Sequence, residues 1–292
     1  MIKFTVVFVS VLLSLTAPAE ARQPALANGR VEAHAAMAAL DREIRALASR
    51  QTEAVWIGYA VPARSGDHRM CCWSGDGSGE CCPACRLEPG AATAVTLSSP
   101  PQKAVPLETG DSVFILYRFE KGEISRIRMF SEDCPLDAGG RTLHWLTGVR
   151  EDESAAFLAT VVTTASPNRL VDSALSALAM HRSPAALDRL LIAARDGATT
   201  HVRGQALFWL AQRAGEQAVG AISDAIANDP ETEVKRRAVF ALSQLPRGDG
   251  VPLLIQVART HTNPAVRKQA MFWLGQSRDP RALQFFQEIL FK

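Results

Sequence analysis

The sequence predicts a two-part protein: a small α+β domain followed by an all-α helical solenoid of about four helix pairs. Two observations carry this. Apolar positions recur every 32 residues through the second half, and alternating apolar runs of strand character are confined to the first. A third observation concerns the leading residues, which read as an export signal.

The chain opens "MIKFTVVFVSVLLSLTAPAEARQPA". Lys3 precedes an apolar run from Phe4 to Leu13, and the small residues Ala17, Ala19 and Ala21 follow. A charged start, a short apolar core and an A-x-A-type site are the pattern of a secretory signal. The expected signal is 1–21, leaving 22–150 for the α+β domain and 151–292 for the helices. The run is short of the ~20 apolar residues a bilayer span needs, and Pro18 with Glu20 closes it. The expectation is an exported, periplasmic or extracellular chain with no membrane span after cleavage. With 32 basic and 30 acidic residues the net charge is +2, which gives no case for nucleic acid or another polyanion as partner.

In the first domain, residues 31–50 place Ala36, Leu40, Ile44 and Leu47 on one helical face, so the spacing predicts a helix there. Strand character follows in "AVWIGYAVP", "ATAVTLSS", "DSVFILYRFEKGEISRIRMF" and "RTLHWLTGV". The third alternates Val113, Ile115, Tyr117 and Phe119, breaks at "EKGE" and alternates again, a β-hairpin pattern. A small sheet with one helix is the expected architecture.

Five of the six cysteines lie in "CCWSGDGSGECCPAC", residues 71–85. The turn-rich "SGDGSG" reverses the chain and sets Cys71 and Cys72 opposite Cys81 and Cys82, while Cys85 is left to reach Cys134. Adjacent cysteines rarely bond to each other, because a disulfide needs Cα atoms ~4.4–6.8 Å apart. In an exported chain an even count favours structural disulfides, although six cysteines allow 15 connectivities. The second reading is zinc held by His68, Cys71, Cys82 and Cys85, two pairs at ligand spacing. The third is redox chemistry at "CPAC", which follows a glycine-rich turn instead of opening a helix. Arg86 stands where haem attachment would need histidine. The acidic stretch around Glu132, Asp133 and Asp137 reads as a solvated loop.

In the second half "ALSAL" begins at 174, "ALFWL" at 206, "AVFAL" at 238 and "AMFWL" at 270, each 32 residues after the last. Leu170, Val202, Val234 and Val266 precede them by four residues, and Arg203, Lys235 and Arg267 follow three of those. Downstream, Leu187, Val219, Val251 and Leu283 stay in register, as do Leu190, Ile222, Leu254 and Phe286. A fixed period of this length marks a solenoid whose units bury their faces only against neighbours. Ser183-Pro184, Asp229-Pro230, Asn263-Pro264 and Asp279-Pro280 each put a capping side chain before a proline suited to a first helical turn. Gly215 and Gly248 fall between helices.

The stretch "VRKQAMFWLGQSRDPRALQFFQEIL" resembles the HEAT-like repeat family named after phycobilisome lyases, whose Val-Arg-x-x-Ala-x-x-Ala-Leu-Gly core falls on Val266, Arg267, Ala270, Trp273, Leu274 and Gly275. The resemblance covers about residues 165–292. Tryptophan replaces the second alanine at 209 and 273, with alanine kept at 177 and 241. Residues 22–150 resemble the leader region of exported HEAT-repeat proteins, which implies no mechanism. Repeats of the family it resembles also occur in enzymes, notably the iron-dependent hydroxylase of deoxyhypusine, whose metal is held by His-Glu pairs. No histidine here precedes glutamate, and His201 and His261 are expected in loops at repeat boundaries.

Advancing 100° per residue, Val266, Ala270, Trp273 and Leu274 share a buried side. Phe208, Phe240 and Phe272 point away from it, with Gln205, Gln212, Gln244, Gln269 and Gln276 beside them and Arg237 replacing one glutamine. These phenylalanines either wedge between repeats or face a protein or peptide ligand. There is no G-x-S-x-G elbow, H-E-x-x-H pair or phosphate-binding glycine loop. The function expected is a non-enzymatic protein–protein interaction scaffold. The alternatives are a metal- or thiol-dependent activity at the Cys71–Cys85 cluster and a HEAT-type oxidoreductase or lyase.

Overall fold

A computed structural model describes residues 23–64, 85–88, 111–132, 135–213 and 215–291. The signal segment, the run "ATAVTLSS", and His68, Cys71, Cys72, Cys81, Cys82 and Cys134 lie outside the described residues.

The alternation at Val113, Ile115, Tyr117 and Phe119 becomes strand β4 (Ser112–Glu120), with all four side chains buried on one face. It pairs antiparallel with β5 (Glu123–Ser131) across a two-residue turn. There Lys121 and Gly122 both adopt positive φ, 54° and 79°, as a tight right-twisting hairpin turn requires. Strand β2 (Val55–Pro62) lies antiparallel to β4, and β6 (Leu136–Thr147) lies parallel to β2. A short strand β3 (Cys85–Arg86) lies against the start of β6.

The expected helix over 31–50 is corrected. Residues Leu26–Ala35 form strand β1, parallel to β6, and only Leu40–Ser49 form helix α1. The sheet order is β1-β6-β2-β4-β5. Alanine and glutamate favour a helix locally, but pairing with a strand more than a hundred residues away overrides that preference. Helix α1 does bury Leu40, Ile44 and Leu47, the stripe its spacing predicts.

The sheet has two apolar faces. Trp56, Phe114, Leu116, Leu143 and Trp145 pack on one with Cys85 and Leu87. On the other, Ile57, Tyr59, Val61, Ile115, Tyr117 and Leu146 meet α1 and α2 (Glu151–Thr164). This second cluster continues unbroken into the helical half as far as Phe285, so sheet and helices share one core.

The helices that follow are α3 (Asn168–Met180), α4 (Pro184–Asp196), α5 (Thr200–Arg213), α6 (Glu216–Asn228), α7 (Thr232–Ser243), α8 (Val251–Thr260), α9 (Pro264–Gln276) and α10 (Pro280–Leu290). α3, α5, α7 and α9 pack one on the next as a layer, and α4, α6, α8 and α10 pair with them. Ser183, Asn263 and Asp279 cap α4, α9 and α10 by accepting the backbone N–H two residues on, each with proline at the first turn. Asp229 differs: it ends α6, and its carboxylate accepts the N–H of Glu231 ahead of α7. His201 lies in the first turn of α5, not in a loop, while His261 does end α8. Among the described residues, no helix is long and apolar enough to cross a membrane.

Candidate functional site

Each unit is held by the same side chains. Leu170, Val202, Val234 and Val266 are buried, as are Ala174, Ala206, Ala238 and Ala270 and the leucines at 178, 210, 242 and 274. The alanines have no side chain beyond Cβ, so the helices approach closely. The cation after the valine has a defined task. The Arg203 guanidinium donates to Gly197 O and to the Asp229 carboxylate, the Lys235 ammonium to Ile226 O and Ala227 O, and the Arg267 guanidinium to His261 O and Thr262 O. Each thus satisfies the orphan carbonyls that end the preceding helix.

The predicted face divides. Phe208 and Phe240 are half-buried and stack on one another, centroids 5.9 Å apart and nearly parallel. Phe240 leans on Trp273 at 4.9 Å, and Phe272 meets Trp273 edge-on. Gln205 donates to Asp172 on α3, which also pairs with His201, and Gln269 accepts from Arg236 on α7. Arg237 pairs with Glu233 within its own helix, and Gln244 bonds Ser243 at the end of α7. These groups tie neighbouring units together or close a helix end. Gln212, Gln276 and Phe272 are exposed, Phe272 at 53 %.

Position within the stack explains the split. Leu187, Val219 and Val251 are buried or half-buried, yet Leu283 at the same register is 62 % exposed. Phe272 stands to Phe208 and Phe240 in the same way. Among the described residues, the large exposed apolar side chains gather here: Met271, Phe272, Leu283, Ile289, Leu290 and Phe291, with Met37 and Ile192 elsewhere. The fourth unit therefore presents the surface that each earlier unit uses to receive its neighbour.

The opposite end of the stack is closed by the sheet. Tyr59, Tyr117, Ser154 and His181 form a buried hydrogen-bonded chain with steps of 2.8, 2.7 and 2.8 Å, and His181 Nδ1 lies 2.8 Å from Ala177 O. A carbonyl can only accept, so Nδ1 carries the proton and Nε2 accepts from Ser154. Ser154 then accepts from Tyr59, and Tyr59 from Tyr117. Burial pushes the His181 imidazole down to about 4 and the Tyr59 phenol above its ordinary range. Beside them the Arg213 guanidinium donates to Leu178 O, Ala179 O and His181 O, while Arg64 donates to Arg213 O. Burial, with the nearby Arg64 charge, lowers Arg213 to about 10, which leaves it charged at neutral pH. The network is sealed and serves as the seam between the two halves.

Of the cysteines, Cys85 is described: it is buried in β3 opposite Leu136. At the sheet edge lies a group that sequence reading missed. Glu32 and His34 of β1 flank His144 of β6, and their ligand atoms all lie within 4.8 Å of one another. His34 Nε2 is 2.9 Å from His144 Nδ1, and a Glu32 carboxylate oxygen is 3.5 Å from the same nitrogen. Burial, more than the opposing pull of Glu32, lowers the His144 imidazole and favours its neutral form. The i, i+2 spacing in "EAH" would have pointed to it had residues 31–35 been read as a strand.

Comparison with known proteins agrees with the helical half. Residues 219–291 match the family model for HEAT repeats, and the second half of the chain is a HEAT-repeat solenoid. No curated protein matches in sequence. Among solved structures, the complex of CpcE and CpcF of phycocyanin lyase from Nostoc sp. PCC7120 is similar at 19 % identity, covering 48 % of this chain and 89 % of that one, with TM-score 0.36. Human deoxyhypusine hydroxylase in complex with glycerol is similar at 20 % identity over 46 % and 43 % of the two chains, TM-score 0.34. The Escherichia coli protein YibA is similar at 24 % identity over 47 % and 54 %, TM-score 0.32.

Proposed function

We propose that this chain is an exported, non-enzymatic scaffold whose HEAT-repeat stack docks another protein at its fourth unit, the partner supplying an apolar helical face in place of a further repeat. One observation carries this reading: Phe272 and Leu283 are exposed at registers that the earlier units cover. The fourth unit exposes Met271, Phe272, Leu283 and Leu290, and exposed apolar surface of this kind marks interaction sites. Export is supported by the signal pattern of residues 1–21. It is supported too by the six cysteines, an even number that suits structural disulfides in an exported chain, Cys85 among them. Cys134, two residues ahead of Leu136 in sequence, is its expected partner.

The test is parallel capture from an envelope fraction with the mature chain and with its Phe272→Asp and Leu283→Asp variants. A protein held by the unaltered chain and lost from both variants, each melting at the unaltered temperature, supports docking at this face. Identical capture by all three rejects it.

A further inference from the structure

Glu32 and His34 alternate on β1, so both point to one face of the sheet, and the parallel register sets His144 of β6 directly beside Glu32. Ile57 of β2 is next in that row, so this is the face covered by α1. Two imidazoles and one carboxylate thus converge from neighbouring strands, with His144 only 4 % exposed and its Nδ1 directed at the other two. One proton shared between the His34 and His144 nitrogens holds the two rings together, and a cation in its place would engage both nitrogens and the carboxylate at once. We propose that Glu32, His34 and His144 form a binding site for a divalent transition-metal ion of the zinc class.

The geometry suits that ion. Tetrahedral zinc at ~2.0–2.1 Å from nitrogen holds its donors about 3.3 Å apart. The nitrogens here are 2.9 Å apart, the carboxylate oxygen is 3.5 Å from one of them, and all three donor atoms lie within 4.8 Å of one another, so side-chain rotations of the partly exposed Glu32 and His34 bring the set onto one ion. Two histidines and a carboxylate are a donor set that suits zinc and leaves a fourth position for water. The Glu32 side chain is 43 % exposed and opens a path from solvent. Behind the site, the Gln51 amide nitrogen lies 3.3 Å from His144 Nε2. Rotating that amide by 180° sets its oxygen there instead, so that Gln51 accepts the Nε2 proton and leaves the Nδ1 lone pair aimed at the ion, the outer support that ligating histidines ordinarily have. Gln51 is a positioning residue; the other three are ligands.

The experiment is calorimetric titration of Zn²⁺ alone into the chelator-treated full chain with its cysteines kept oxidised. The unaltered protein should take up one equivalent. His34→Ala and Glu32→Gln should each weaken uptake by at least ~100-fold, and Gln51→Leu by ~10–100-fold, the range of an outer-support loss. Co²⁺ bound in place of zinc should lack thiolate-to-metal charge-transfer absorption, which separates this site from any held by cysteine. Because His144 is buried, its removal is not used. Glu32→Gln alters an exposed side chain and decides the matter should His34→Ala fail to fold. The proposal is overturned if the unaltered chain takes up no zinc, or if folded Glu32→Gln binds it as tightly as the unaltered chain.

Discussion

The sheet and the repeat stack bury their apolar residues by opposite means. In the stack each residue meets partners one period away, and Ala206, Leu210 and Val202 repeat what Ala238, Leu242 and Val234 do. In the sheet β1 lies against β6, more than a hundred residues on, and no local pattern announces the pairing. Each unit of the stack thus carries a surface able to receive another, whereas the strands of the sheet depend on partners distant in sequence. The difference assigns roles: the sheet covers one end of the stack through a sealed seam, and the fourth unit keeps apolar side chains exposed.

Six substitutions sharpen or break this contrast. The largest effect is expected at Gly250, where α8 begins. An added Cβ would fall 1.9 Å from Leu242 O, a backbone atom that cannot swing aside. Gly250→Ala should cost about 3 kcal/mol or more in chemical denaturation, at the upper end of overpacking. At Gly204 the obstacle is the flexible Arg237 side chain, so Gly204→Ala should cost far less. Equal losses would mean that the units do not stack as described.

The seam gives the next effect. His181 titrates at about 4 in the folded chain and near 6.5 unfolded, so below 6.5 the unfolded chain takes up the proton first. The stability this neutral imidazole confers is complete above pH 6.5 and declines as pH falls to 4, by about 3 kcal/mol in all. His181→Gln should flatten that decline in denaturation midpoints measured across the same range. Removing the seam cation, Arg213→Met, strips three carbonyls of their donor and should cost about 2 kcal/mol. Should sheet and helices be independent, Arg213→Met would lower a helical transition and leave the sheet's own unchanged; a shared core requires one transition for both.

The smallest effects fall on the aromatic ladder. Phe240→Ala, between Phe208 and Trp273, should destabilise by about 1–2 kcal/mol, part of what a fully buried phenylalanine would cost. Phe272→Ala should stay within about 0.5 kcal/mol.

Legibility followed the same divide. The period, the capped helix starts at Ser183, Asn263 and Asp279 and the buried Ala–Leu faces were all readable, because the contacts that enforce them are local or one repeat away. The hairpin at Lys121-Gly122 was readable from alternation around a turn. Strand β1 was not, since its composition favours a helix and its partner is distant; with it went Glu32 and His34. Sequence grouped the Phe–Gln positions as one flank but could not separate Phe208 and Phe240, held by the next unit, from the exposed Phe272. That distinction depends on place in the stack, and the period makes every unit look alike.

Hydrogen exchange read segment by segment on the full chain alone tests most directly whether one end is closed and the other open. Helices α2 and α3, set against the sheet, should exchange only through global unfolding, while α9 and α10 should exchange through cheaper local openings, protection falling steadily along the stack. Equal protection from α3 to α10 would contradict this, for it would mean that the fourth unit's apolar face is already covered.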